Sequence, residues 1–155
     1  MKLAEALIKR ADLKNRIAQI SSRMTENVLV MEGDEPDEDI AKLQIQYDSA
    51  MNELEEVIIY INKTNSETML DGELSLAAAI AKRDCIKSRI TTYRALRDAA
   101  TKKTNRFDRY ERNPEAKYVR TLEVSSLQKA TDDLSRQYRE LDTKIQGRNW
   151  NVDLL

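Results

Sequence analysis

The sequence predicts a mainly α-helical protein: an antiparallel four-helix bundle made of two helix–connector–helix repeats, with a small β-hairpin or sheet formed by the connectors at one end. The first observation is composition, because 34% of the 155 residues are charged and there are only three glycines and two prolines. Such chains favour long helices. The second observation is apolar spacing at alternating steps of three and four, and the third is an internal repeat.

The repeat is visible when the sequence is shifted by 73 positions. Residues 3–17 then fall on residues 76–90 with eight of fifteen positions identical, and at a shift of 84 residues 43–65 fall on residues 127–149. The shift grows by 11 because the second connector is longer. We therefore predict one domain over residues 1–155, with repeats at 1–65 and 74–149 and a tail at 150–155.

Four helices follow from rows of residues at alternating steps of three and four, which we call seams. Helix 1 is predicted over about 3–24, helix 2 over 40–61 with its end at 62–65, helix 3 over 75–101, and helix 4 from Ser125 or Ser126 to a C-terminal glycine, Gly147. The seams recur with the spacing of side chains packed between neighbouring helices. Their apolar members include Leu13, Ile20, Leu43, Leu54, Val57, Ile61, Ile86, Ile90, Leu134 and Ile145.

The connectors differ from the helices in the spacing of their apolar residues and in their charge. Residues 106–110 and 117–124 flank Asn113-Pro114, and their period-two alternation predicts a β-hairpin, to which the apolar run Val28–Met31 could add a third strand. Residues 34–39 hold five acids and one proline, which is typical of a helix start. Their spacing does not fit a calcium-binding EF-hand loop, so no metal site is predicted.

Opposite charges accumulate in the two connectors. Residues 32–39 carry six acids, whereas residues 102–120 carry seven basic side chains against three acidic ones. An antiparallel bundle would place both connectors at the same end. We therefore expect them to pair within one chain or between chains, and the second route gives a homo-oligomer.

Arginine stands in the seam twice, where leucine is expected. Arg10 and Arg83 are equivalent in the two repeats, and a buried arginine needs a partner. Glu55, Glu56 or Asp48 could face the first, and Glu140 or Asp142 the second; we favour the pairs Arg10–Glu56 and Arg83–Glu140 because both glutamates are also repeat-equivalent. These pairs are either charged sites inside the bundle or locks that fix helix register, unless the arginine heads reach out to solvent.

The amino-acid composition argues against several classes of function. The chain has no histidine, the commonest general base and metal ligand, and its single cysteine, Cys85, allows no disulfide within the chain. We expect no enzyme activity, no cofactor, no metal and no small-molecule substrate. A net charge of −1, no leader-like start and no long apolar stretch favour a cytoplasmic protein without a membrane partner.

One surface nevertheless combines positive charge with aromatic rings. Within residues 102–120, arginines and aromatics alternate, and such a surface could contact phosphates and stack on bases. Nucleic-acid binding is therefore an alternative function, weighed against a solvated ribbon that pairs with the acidic connector. The candidate residues are Arg106, Phe107, Arg109, Tyr110 and Arg112.

Several longer motifs resemble a known family. These are Met1–Leu7, the stretch from Glu26 to Gly33, Ile61–Asn65, and the ending Leu141–Trp150. With them the whole chain resembles the septicolysin-like family of small bacterial helical proteins of unknown function. The resemblance implies a bacterial origin and, through the family's name, a pore-forming protein, but it supplies no catalytic residues.

Taken together, these observations predict a non-enzymatic, oligomeric helical scaffold or interaction protein. The prediction depends on the unbroken seams, the absence of histidine and the oppositely charged connectors. Nucleic-acid binding is the first alternative and pore formation the second. We also expect Trp150 and Leu154, in the apolar tail, to dock on the bundle or on a second subunit.

Overall fold

The computed structural model describes residues 1–101 and 119–155, which form a mainly helical fold. Four helices are present in this part of the chain, as the sequence predicts: α1 (Leu3–Asn27), α2 (Ile40–Glu67), α3 (Leu76–Thr101) and α4 (Val124–Asn151). The chain divides into two compact units. The first comprises Met1–Ala78 with Ile145–Leu155, and the second comprises Ala79–Lys144.

In the first unit, α1 and α2 pack side by side in opposite directions. Lys9, near the start of α1, forms an ion pair with Glu53 at 2.6 Å, and Arg23, near the end of α1, pairs with Glu38 just before α2 begins. The predicted seams form the interface, which confirms that part of the sequence prediction. Its buried members are Leu3, Ala6, Leu13, Ile20, Leu43, Ala50, Leu54, Val57 and Ile61.

The last turns of α4 and the tail complete the first unit by joining both ends of the chain. The backbone N–H of Leu3 donates to the carbonyl oxygen of Val152, and that of Leu154 donates to Met1, both at 2.9 Å. The N–H of Leu155 donates to the hydroxyl of Thr64, a fully buried residue of α2, at 3.0 Å. The chain termini are therefore fixed to each other and to the end of α2.

In the second unit, two hydrogen bonds between side chains define the register of α3 against α4. Arg83 Nη1 donates to Asp142 Oδ1 at 3.1 Å, and Arg97 Nη1 donates to Gln128 Oε1 at 3.2 Å. Moving 14 residues forward along α3 therefore moves the partner 14 residues back along α4, so the helices are antiparallel. The predicted seam is again buried, at Ala79, Ile86, Ile90 and Thr131.

Three helices continue beyond the ends that the sequence predicts, and the first, α1, runs to Asn27 rather than ending at about residue 24. Helix α2 passes through residues 62–65 and ends at Glu67, with the N–H of Thr68 capping the carbonyl of Thr64. Helix α4 passes through Gly147 to Asn151, whose side chain donates to the Gly147 carbonyl at 2.8 Å. Burial of residues in these last turns outweighs the weak helix propensity of asparagine, threonine and glycine.

The predicted β-structure is not found where the structure can test it. Residues 1–101 and 119–155 contain no strand, only isolated bridges between Lys2 and Asp153 and between Met69 and Ser75. The strand at Val28–Met31 is wrong, because Val28 adopts helical angles as the C-cap of α1 and the run that follows has no strand conformation and no ladder partner among residues 1–101 and 119–155. The predicted hairpin falls mostly on residues 102–118, outside the described residues.

Of the two tail residues predicted to dock, only Leu154 packs on its own chain. Leu154 is half-buried and its backbone is bonded to Met1. Trp150 is 56% exposed, so its predicted docking on its own chain is wrong. The backbone of the tail, rather than the indole ring, holds this end in place. Docking of Trp150 on a second subunit remains a prediction.

Candidate functional site

The seam arginine of the second unit has acidic partners, but not the preferred one. Arg83 donates to Asp142 and also to the neighbouring Asp84 at 2.8 Å, while Glu140 is exposed and makes no ion pair within the described part of the chain. The favoured pair Arg83–Glu140 therefore does not form. Burial lowers the pKa of Arg83, but the hydrogen bonds that it donates to the two aspartates, with their negative charges, more than compensate and raise it. This arrangement suits a structural lock.

The equivalent arginine of the first unit has no acidic partner among the described residues. Arg10 is half-buried, and no carboxylate within residues 1–101 or 119–155 pairs with it, so the favoured pair Arg10–Glu56 does not form either. The ion pair of Lys9 with Glu53 sets a register in which Glu56 lies about one turn away from Arg10. Both acids that hold Arg83 are replaced in this repeat by the apolar residues Ala11 and Ile58.

The basic and aromatic hairpin lies outside the described residues. Arg106, Phe107, Arg109, Tyr110 and Arg112 all fall within residues 102–118. The same holds for most of the basic connector that we expect to pair with the acidic one.

Side chains at both ends of the α1–α2 connector fix its base. Arg23 donates two hydrogen bonds to the carboxylate of Glu38, one of them from Nε at 2.7 Å. Asn27 links the same ends, since its amide donates to the Arg23 carbonyl and its oxygen accepts from the Glu38 backbone, both at 2.9 Å. The arginine lowers the pKa of Glu38 through this hydrogen bond.

Between these anchors, the connector presents apolar side chains to solvent. Val28, Leu29, Val30 and Met31 are 61%, 86%, 48% and 79% exposed, and we call them the apolar connector segment. A turn follows at once, with Gly33 at a φ of 94° that favours glycine. Four consecutive exposed apolar residues on a fixed loop are typical of a contact surface.

The acidic run after this segment acts as a helix start. Asp39 is the N-cap of α2, and its carboxylate accepts from the N–H of Ala41 at 2.9 Å and of Lys42 at 3.4 Å. Glu38 is held by Arg23. Within the described residues, no group of three or more acids, cysteines or histidines is placed to hold a metal ion.

The second unit contains a surface pocket that the sequence did not lead us to predict. It has a volume of about 270 Å³ and lies on α3 and α4, and we call it the basic pocket. No acidic residue lines it, although three cations do. Its lining residues are Lys87, Ile90, Thr91, Arg94, Ser135, Tyr138 and Arg139.

A sequence signal for the basic pocket exists in the seam. Lys87, Arg94 and Arg139 each directly follow a seam residue, namely Ile86, Tyr93 and Tyr138. The positions of Lys87 and Arg94, each directly after the second residue of a three-residue seam step, flank the interface of a helix pair, and there opposite charges normally face each other. Here both helices carry cations, and no acid lines the pocket with them. This departure from the usual pairing of opposite charges could have revealed the pocket.

Comparison with known proteins gives a family and a close structural relative. A model of a family of unknown function, DUF6847, matches residues 10–154. The crystal structure of a functionally unknown conserved protein from Corynebacterium diphtheriae is similar, with a TM-score of 0.88 and 33% sequence identity over 100% of this chain and 99% of that chain. No curated protein matches the chain.

These comparisons correct the resemblance drawn from the terminal motifs. The septicolysin-like assignment is wrong, because the matching family is DUF6847 and neither match points to a septicolysin-like protein. The motifs misled because each covers only a few residues, whereas the family match covers residues 10–154. Among the described residues, no helix has the length and apolar character needed to cross a membrane.

Proposed function

This chain belongs to the family of unknown function DUF6847, and we propose that it is a non-enzymatic helical interaction protein that associates with a second copy of itself. The contact surface in this proposal is the apolar connector segment, Val28–Met31. A cytoplasmic location remains part of the proposal. Neither match favours nucleic-acid binding, and the alternative site at Arg106–Arg112 lies outside the described residues.

The exposure of the apolar connector segment carries the proposal. Leu29 and Met31 project almost fully into solvent, at 86% and 79% exposure. Burying one such side chain contributes about 1.5–3 kcal/mol, so two copies that cover these residues mutually have a substantial driving force. The cost of ordering is small because Arg23, Asn27 and Glu38 already fix the base of the loop.

Charge favours a second copy as the partner. The segment is followed by an acidic run, 32–39, and the same chain carries an excess of basic residues in 102–120. One copy can therefore offer both an apolar surface and a countercharge to another. Closed twofold contacts of this kind are the commonest form of protein self-association.

The experiment measures molar mass by light scattering on the eluting protein. We expect the wild-type chain to self-associate at micromolar concentration and the double variant Leu29→Gln, Met31→Gln to elute as a monomer with unchanged helical circular dichroism. The matched control is Ile45→Gln, Ile59→Gln, which removes two exposed apolar side chains from α2 (70% and 56% exposed) and should associate as the wild type does.

The results of this experiment test separately whether the chain self-associates, whether Val28–Met31 is the contact surface, and whether the charged connectors contribute. A wild-type chain that stays monomeric at 100 micromolar, roughly a hundred-thousandfold above a dissociation constant of about 1 nM, would overturn self-association. Equal loss of association in both double variants would overturn the assignment to Val28–Met31. Weaker association in high salt would support pairing of the charged connectors as a second contribution.

A further inference from the structure

We infer that the basic pocket of the second unit binds a small phosphorylated molecule, a phosphate monoester with an organic group of sugar size. The inference does not depend on self-association, because the pocket lies on α3 and α4 and the apolar connector segment lies between α1 and α2. Three observations support it: the cations that line the pocket, the absence of acids from that lining, and the pocket's size and apolar wall.

The cations come from both helices. Lys87 and Arg94 lie seven residues apart, on one face of α3, and Arg139 lies on α4. The register set by Arg83–Asp142 and Arg97–Gln128 brings residues 87–94 opposite residues 131–138. An anion in the pocket would therefore meet cations from both helices, including two arginines, whose planar guanidinium groups suit phosphate oxygens.

Most nearby acids of the same helices are engaged elsewhere, whereas Glu140, next to Arg139, is exposed and makes no ion pair within the described residues. Asp84 and Asp142 hold Arg83, Asp98 pairs with Arg97 at 2.8 Å, and Asp133 pairs with Arg136 at 3.0 Å. None of the three pocket cations lies within 4 Å of a carboxylate in residues 1–101 and 119–155.

The first repeat does not reproduce this charge pattern. The residues equivalent to Lys87, Arg94 and Arg139 are Lys14, Ser21 and Glu55, one cation, one neutral residue and one acid. In the first unit an ion pair, Lys9–Glu53, joins α1 to α2. Like charges gathered on one surface repel each other and are tolerated most easily where an anion binds. The pocket is therefore a feature of the second repeat rather than of the helix pair in general.

The remaining lining residues suit a phosphate ester. Thr91 donates its hydroxyl proton to the Lys87 carbonyl at 3.1 Å, whereas Ser135 and Tyr138 make no such side-chain hydrogen bond within the described residues and can donate to phosphate oxygens. Ile90, 7% exposed, and the ring of Tyr138 provide an apolar wall. That wall is where the organic group of the ester would lie.

Size favours a small molecule over a polymer. The volume of about 270 Å³ lies just below the range of roughly 300–1,000 Å³ typical of small-molecule pockets. A nucleic-acid strand is instead bound by a groove that follows its backbone, with several aromatic platforms. The pocket has one aromatic ring, Tyr138.

The test is isothermal titration calorimetry on the full chain at low salt. The probes are glucose 6-phosphate, glucose, inorganic phosphate and a single-stranded oligothymidylate without terminal phosphates. We expect glucose 6-phosphate to bind, inorganic phosphate to bind more weakly and glucose not at all. Arg94→Gln and Arg139→Gln should each weaken binding of glucose 6-phosphate about tenfold, because each removes a charge-assisted hydrogen bond.

The matched control is Arg136→Gln, which removes the same charge from an exposed position on α4, three residues before Arg139, and should bind as the wild type does. Circular dichroism establishes that each variant is folded. No binding of either phosphate probe would overturn the inference, as would an equal loss in Arg136→Gln. Tighter binding of the oligothymidylate than of glucose 6-phosphate, lost in Arg94→Gln, would assign the pocket to nucleic acid instead.

Discussion

Asp142 accepts a hydrogen bond from Arg83 at 3.1 Å and so joins α4 to α3 at the seam position where the other repeat has an arginine without such an acid. The two side chains are only 31% and 21% exposed, so solvent screens their attraction less than at an open surface. This contact fixes the register of the second unit, and its contribution to stability can be measured.

Replacing Asp142 by asparagine should lower the free energy of unfolding by about 1–2 kcal/mol, because Arg83 keeps only its contact with Asp84. Urea denaturation followed by circular dichroism measures the change. The control is Glu140→Gln, which removes an equal charge from an exposed position two residues away and should have little effect. Equal effects of the two variants would contradict the role assigned to Asp142.

The pair of Arg23 with Glu38 predicts a pH dependence. Because the hydrogen bond from Arg23 lowers the pKa of Glu38 in the folded chain, the pair stabilises the protein above the ordinary pKa of glutamate, about 4.3. This contribution is lost as the pH falls through the lowered value.

Comparison with Glu38→Gln measures this dependence. The wild type should be slightly more stable than the variant at pH 7, and the difference should vanish at acidic pH. Thermal unfolding of both proteins across the acidic range tests this. A difference that stays constant, or grows as the pH falls, would rule out the ion pair as its cause.

The docked tail should contribute measurably to the stability of the first unit. Deleting residues 153–155 removes the hydrogen bonds from Leu154 to Met1 and from Leu155 to Thr64, together with the burial of Leu154. We expect the free energy of unfolding to fall by about 2–4 kcal/mol.

A point variant tests the Thr64 hydroxyl, which accepts from Leu155 and itself donates to the Tyr60 carbonyl at 2.8 Å. Thr64→Val keeps the shape of a fully buried side chain and removes the oxygen that accepts from Leu155, so it should cost about 1 kcal/mol. Chemical denaturation of the three proteins gives the comparison. A truncated chain as stable as the full one would show that the tail is only loosely attached.

The buried asparagine of α4 should not tolerate a charge. Asn149 is 4% exposed, and its side-chain oxygen accepts no hydrogen bond within the described residues. Asn149→Asp would place an unpaired carboxylate there and should destabilise the protein by about 3–5 kcal/mol at neutral pH, and by less where the acid is protonated. Asn62→Asp, at an exposed position of α2, is the control and should change little. Equal stability of both variants at pH 7 would contradict the burial of Asn149.

Much of the fold could be predicted because apolar spacing alone determines which face of a helix is buried. The seams around Leu43, Val57 and Ile86 were visible in the sequence, and all three residues are buried. Helix ends were harder to predict. Gly147 favours a stop, but burial of Ile145 and Asn149 on either side of it keeps α4 helical to Asn151.

The candidate sites could be predicted only in part. The sequence identified Arg83 as a seam arginine, but Glu140 and Asp142 both lie within reach by counting, and only the rotation of α4 selects the aspartate. The basic pocket was missed because its cations are separated by seam residues along the chain and come together only when α3 and α4 pack. Family membership came from comparison with whole sequences, since the short motifs pointed to the wrong family.

The sequence by itself determined that this protein has four helices, which of their faces are buried, and that no histidine is available to any site. The tertiary structure decided which charges meet, where the helices end, and that Val28–Met31 is exposed rather than paired in a sheet. The physical reason is range: periodicity depends on neighbours within a few turns of one helix, whereas ion pairs, pockets and exposed loops depend on distances between segments far apart in the chain.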